Sequence, residues 1–196
     1  MTKNIIFMHD GGADDQLALI ILLQSAECNI LGIIITPADC YIAPAVNATR
    51  KILHIFGKPD IPVLIHNSRG VHPFPSEWRA KSYNIPVLPM LLAQRIEDEA
   101  NSVDAFISED PYEWFSYMVN MWTRRWTDIS ILVTGPVTFL VEALRHISDE
   151  DKSHIEAIFG WVGLSKYLVT SVTTNMMVAL NGTRTGIPYL LKNYSN

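Results

Sequence analysis

Three carboxylates, Asp10, Asp14 and Asp15, fall within six consecutive positions, with Gly11 and Gly12 between them. Acidic groups this close repel one another unless something positive lies among them, and hard oxygen donors of this kind suit calcium or magnesium. The glycines let the chain turn sharply and bring its backbone near a bound species. A plainer reading makes Asp14 and Asp15 the acidic first turn of a helix and Asp10 the cap of a turn. Against it stands the short apolar run over residues 4–8, which delivers the whole Asp-Gly-Gly-Ala-Asp-Asp segment at the end of a strand. Open α/β sheets place their ligands at strand carboxyl ends, so a divalent-metal loop is the more economical expectation.

The elements that must position this loop can be read from hydrophobic spacing. Residues 4–8 predict a buried strand, and from Asp14 onward Leu17, Leu19, Ile20, Leu22 and Leu23 predict a helix. A second strand over 30–36 ends at Pro37-Ala38-Asp39-Cys40, and Pro44 suits the first turn of a helix reaching about residue 56. Residues 61–65 predict a third strand, followed to about 89 by a loop rich in Pro, Ser, Asn and His. Asp110-Pro111 has the form of a helix start, with aromatic and apolar residues at helical spacing over 112–126. Residues 129–133 predict another strand, stopped by Thr134-Gly135-Pro136, with a helix over 137–146. Strands alternating with helices predict a mostly parallel, Rossmann-like open α/β sheet flanked by helices.

Composition narrows the function classes. A chain of 196 residues, 48% of them hydrophobic, can bury a sizeable core. A net charge of −5, without basic blocks interleaved with aromatics, argues against nucleic acid as a partner. No apolar run is long enough for a membrane span and the first residues lack the pattern of a signal peptide, so a cytoplasmic protein acting away from membranes is expected. Cys28 and Cys40 are the only cysteines and lack C-x-x-C spacing, which points to ordinary thiols.

Two segments together carry a resemblance. His9-Asp10-Gly11-Gly12-Ala13-Asp14-Asp15-Gln16-Leu17-Ala18-Leu19 resembles the amino-terminal Asp-x-Asp-x-Gly-x-Asp-Asp signature of the inosine-uridine nucleoside hydrolase family. Leu132-Val133-Thr134-Gly135-Pro136-Val137-Thr138 is similar to that family's internal Thr-Gly-Pro-Leu-Thr segment. The strand and helix over 33–53, with Asn47 in the helix, and the apolar stretch over 155–163 also sit where the family keeps corresponding elements. The resemblance covers residues 4 to about 163. It implies a nucleoside hydrolase domain over 1–163 and a divergent tail over 164–196, which lies in the acid-free stretch after Glu156.

The resemblance implies calcium (Ca2+) as the metal, held by Asp10, Asp15 and the main-chain carbonyl of Thr134. Asp10 would also be the catalytic base, taking a proton from a metal-bound water that attacks the anomeric carbon of a nucleoside. Asp14 and Asp39 would bind ribose hydroxyls, although the family usually has Asn at the latter position. In the Val71-His72-Pro73-Phe74-Pro75-Ser76-Glu77-Trp78-Arg79 loop, His72, Phe74, Trp78 and Arg79 are candidates to face the small-molecule substrate, His72 foremost; the other reading is that such residues pin a long loop to the surface.

Two departures bear on function. Met8 stands where the family has its first Asp, and a thioether is a poor partner for calcium; its plainer role is core packing. The resemblance also fades before the carboxy-terminal ligands of the family, so a truncated copy short of metal donors is expected, with an exposed sheet edge that favours aggregation or a homo-oligomer. Two other functions are therefore carried forward. One is a catalytically inactive nucleoside hydrolase-like protein; the other is a magnesium-dependent haloacid-dehalogenase-like phosphatase, in which Met8 would occupy the nucleophile's place.

Overall fold

The computed structural model describes residues 2–68, 75–92, 110–125, 128–162 and 165–170. A six-stranded sheet has the order β3-β2-β1-β4-β5-β6, where β1 is Lys3–His9, β2 Cys28–Ile35, β3 Val63–Ile65, β4 Ile129–Val133, β5 Ile155–Val162 and β6 Ser165–Thr170. The first five run parallel, and β6 is antiparallel to β5. The helices are α1 (Ala13–Gln24), α2 (Ile42–Ile55), a short α3 (Ser76–Arg79), α4 (Pro111–Thr123), α5 (Thr138–Ala143) and α6 (Asp149–Ser153). Short 3-10 turns at Ala80–Asn84 and Pro89–Leu91 give the expected loop after β3 more local structure than its composition suggested.

Central strands of a parallel sheet are covered on both faces, so their sequences run apolar without alternation. In β1 the side chains divide cleanly. Ile6 and Met8 join Phe115, Met118, Val133 and Phe139 on one face, while Ile5 and Phe7 join Leu19, Ile33, Ala48 and Ile52 on the other. Phe7, Ile6 and Met8 are fully buried, and removing each such side chain from water contributes roughly 1.5–3 kcal/mol. Met8 is thus a core residue, the packing role open to it from sequence.

Helix starts follow local chemistry. The Asp110 carboxylate accepts from the Tyr112 and Glu113 amides at 2.9 and 3.0 Å, and Pro111 fills the first helical position, where a missing N–H costs nothing. Helix α2 begins at Ile42, two residues before Pro44, which still lies in the first turn. The helix expected over 137–146 is shorter, ending at Ala143, and a further helix the sequence reading did not expect, α6, starts after a Ser148 cap.

Strand order creates the site. From β1 the chain builds outward to β2 and β3, then returns to lay β4 on the opposite side of β1. The loops leaving β1 and β4 therefore diverge at their carboxyl ends, opening the crevice that doubly wound sheets use for ligands. Among the described residues, no helix is long and apolar enough to cross a membrane.

Candidate functional site

Three loops meet at this crevice. The β1 loop carries Asp10, Asp14 and Asp15, the β2 loop carries Asp39, and the β4 loop carries Thr134. Gly11 has φ +88°, and a β-carbon there would fall 2.2 Å from that of Ala45, so only glycine lets the loop fold against α2. Gly135 does the same from the other side. A β-carbon on it would meet the Asp10 nitrogen at 3.0 Å, while the Thr134 amide donates to the Met8 carbonyl at 2.9 Å. The Gly11 approach seats the acidic loop against α2, and the Gly135 approach seats the β4 loop on the Asp10 backbone.

The carboxylates converge. A β-carbon on Gly12 would lie 2.5 Å from Asp14 Oδ1, 3.5 Å from Asp15 Oδ2 and 3.6 Å from Asp39 Oδ2. The Gly12 and Asp10 amides donate to Asp15 Oδ2 at 2.9 and 3.3 Å, and the Asp39 amide donates to Asp10 Oδ2 at 3.1 Å. Asp10 and Asp15 also hydrogen-bond to each other through their side chains, and the Thr134 side chain bonds Asp15. Asp10 and Asp15 are buried, Asp39 is half-buried and Asp14 is exposed.

Burial and the neighbouring Asp15 push Asp10 up to about 9, so the pair gives up its last proton reluctantly. Burial works the same way on Asp15, but hydrogen bonds from Asp10, Thr134 and Gly12 outweigh it and hold Asp15 below the usual carboxylate range. Asp39 is raised by burial and by the charges of Asp14 and Asp15. Cys40 lies beside the same group of carboxyls. Burial and then the charges of Asp10, Asp39, Asp15 and Asp14 push its thiol up to about 12, leaving it neutral and unreactive.

His9, next to the loop, is fully buried and stacked on Phe7 at 4.9 Å, with Nε2 3.4 Å from the Thr49 hydroxyl. Burial lowers its pKa to about 4, so it is a neutral packing residue. His72 and Phe74 lie outside the described residues. Trp78 is exposed, and Arg79 is buried against Tyr41. The bond between the Asp39 main chain and Asp10 was not legible in the sequence, since no local pattern announces a contact between loops 29 positions apart.

The donor chemistry suits a hard divalent cation in kind, because two buried carboxylates in contact are relieved when a cation replaces the proton between them. It falls short in number. Among the described residues no group of three or more His, Cys, Asp or Glu side chains could hold a metal, and calcium takes about six to eight oxygens.

Comparisons with known proteins bear on the family and the fold. The family model for inosine-uridine preferring nucleoside hydrolase matches residues 5–165. Among solved structures, the inosine-uridine preferring nucleoside hydrolase from Bacillus anthracis is 33% identical with a TM-score of 0.66, over 81% of this chain and 50% of that one. The purine-preferring ribonucleoside hydrolase from Gardnerella vaginalis is 23% identical with a TM-score of 0.56, over 81% and 48%, and speaks for the fold alone. The chain spans about half the length of these solved relatives. No curated protein matches it. With both signature segments inside the matched residues and the acidic loop at the sheet's crevice, the chain belongs to the inosine-uridine preferring nucleoside hydrolase family.

Proposed function

We propose that this chain carries the metal- and ribose-binding part of a nucleoside hydrolase site and that it cleaves the N-glycosidic bond of ribonucleosides, giving ribose and free base. One observation carries the reading: loops from β1, β2 and β4 bring Asp10, Asp15, Asp39 and Thr134 into one hydrogen-bonded group at the sheet's crevice. Asp10, Asp15 and Thr134 would hold a calcium ion, with water and substrate hydroxyls completing its shell. Calcium, when bound, supplies positive charge among the carboxylates and a water of lowered pKa.

Asp10 then serves as base. Its Oδ2 is fixed by the Asp39 amide, which orients the carboxylate that would take the proton from the attacking water. Exposed Asp14 and half-buried Asp39 flank Gly12 and offer acceptors to ribose hydroxyls. Loss of the base builds positive charge on the sugar ring, and fixed negative oxygens beside it stabilise that transition state. His72 is retained as a candidate donor to the substrate.

Family membership does not favour the phosphatase reading, in which the nucleophile's place would be held by Met8, a fully buried core residue. Ribose release from inosine and uridine, measured with calcium and again with a chelator, tests the proposal. Turnover should vanish on chelation and fall about 10²–10⁴-fold in Asp10→Ala, and calorimetry should show calcium binding lost in that variant. Turnover indifferent to both changes sinks the reading. Calcium binding without any ribose release keeps the metal site and removes the catalytic claim.

A further inference from the structure

Arg79 was a candidate to face substrate, yet only 6% of it is exposed. Its guanidinium carbon lies 4.4 Å from the centre of the Tyr41 ring, and its Nε is buried without a hydrogen-bond partner. Hydrogen bonding at Nε therefore does not explain why an arginine stands there; stacking on Tyr41 does. Two further contacts join the same two segments, and a third braces the second segment internally. The Tyr41 amide donates to Ser82 Oγ at 3.3 Å, Ser82 Oγ donates to the Arg79 carbonyl at 2.6 Å, and the Tyr41 and Tyr83 rings sit 5.7 Å apart. Beyond the second segment, the fully buried Lys51 of α2 donates to the Pro86 carbonyl at 3.0 Å and anchors the chain that follows.

Tyr41 is two residues from Asp39, whose amide holds Asp10 Oδ2. On its other side the same turn is packed by the acidic loop, since a β-carbon on Gly11 would reach the Cys40 Cβ at 3.5 Å. The 39–41 turn is thus wedged between the acidic loop and the 79–83 segment. We propose that Arg79 is a positioning residue: stacked on Tyr41, it holds this turn in the place where the Asp39 amide fixes the Asp10 carboxylate. The link to catalysis rests on the function proposed above; the mechanical link from Arg79 to Asp39 does not.

Amide hydrogen exchange on the full calcium-free chain separates the two. Arg79→Met and Tyr41→Leu should each speed exchange at the Asp39 amide about tenfold, a size set by the loss of a desolvated cation–ring contact. The double variant should do no more than either alone, and Arg79→Lys should recover part of the protection. The Ile131 amide in β4 should not change. An unchanged Asp39 amide, or an equal rise at Ile131, overturns the proposal, the latter because it marks general destabilisation. A parallel calcium titration should show Arg79→Met weakening binding several-fold while Asp10→Ala abolishes it. Failure of the wild type to bind calcium would remove the metal reading and leave the exchange result to judge the clamp.

Discussion

Asp15 and Asp151 hold the same local position and live in opposite surroundings. Each is the third residue of its helix and reaches back to the residue that caps it. Asp15 Oδ2 accepts the Gly12 amide at 2.9 Å, and Asp151 exchanges two bonds with Ser148, at 3.0 Å to its amide and 2.8 Å to its carboxylate. Around Asp151 the remaining partners are donors: the Thr123 hydroxyl at 2.5 Å and the Asn120 amide at 3.3 Å. Around Asp15 a principal side-chain partner is another carboxyl, Asp10, and behind that stand the charges of Asp39 and Asp14. The fold satisfies the charge of Asp151 from within. At the crevice it gathers carboxyl groups against one another, with fewer donors to share among them.

The largest expected effect breaks the structural half of this comparison. Asp151 is 7% exposed, and Asp151→Ala removes the acceptor of the buried Thr123 hydroxyl, the half-buried Asn120 amide and the exposed Ser148 hydroxyl together. Chemical denaturation should show a loss of about 3 kcal/mol, with calcium affinity unchanged. The same residue shapes acid stability. Burial works against its charge, but the bonds from Thr123, Ser148 and Asn120 prevail and hold it below its ordinary value of 3.8. With the folded value depressed, the unfolded chain binds the proton first, so this contribution is complete above about pH 4 and disappears as pH falls through the lower folded value. The acid limb of a stability–pH curve should therefore flatten in the alanine variant. An unaltered limb would mean that Asp151 is not the acid-sensitive group.

A smaller effect tests the crevice. Asp10→Asn places an amide where a protonated carboxyl stands, able to donate to Asp15 and to accept the Asp39 amide as Asp10 does. Calcium-free stability should change by less than about 1 kcal/mol, as when a hydrogen-bonding partner is exchanged for an equivalent one. The rise in melting temperature on adding calcium should disappear. If the metal-free cost instead matches that of Asp151→Ala, Asp10 is a structural acid and the contrast between the two regions collapses.

The comparison also shows what a sequence discloses. The alternation of strands with helices and the mostly parallel run were legible because continuous apolar stretches between turn signals leave little choice, and β4 lies where the spacing put it, at Ile129–Val133. Boundaries moved where a side chain decided them. β3 starts at Val63, after Pro62, whose missing N–H suits a strand's approach better than its interior. The short α3 and the 3-10 turns after it were not legible, because so few residues show no period and their placement comes from contacts with Tyr41 and Lys51. The acidic loop was legible as a motif. The convergence on Asp10 was not, since it depends on the Asp39 amide and the Gly135 approach, each supplied by a distant strand.

The smallest effect marks the outer limit of the comparison, an acid that is paired but wet. Glu156 meets Lys3 at 2.6 Å across the start of β5 and β1, with the two side chains 43% and 55% exposed. Its distance is shorter than any contact that Asp10 makes with a described amide, yet water already solvates both charges, and holding two long side chains together costs rotamer freedom. Glu156→Gln should shift the denaturation midpoint by an amount corresponding to less than about 0.5 kcal/mol, and what shift there is should vanish in high salt. A larger, salt-resistant loss would show that charge pairs matter here irrespective of burial. That would leave the carboxyls at the crevice no different from those elsewhere, because what sets them apart is burial, and not proximity alone, making uncompensated charge expensive.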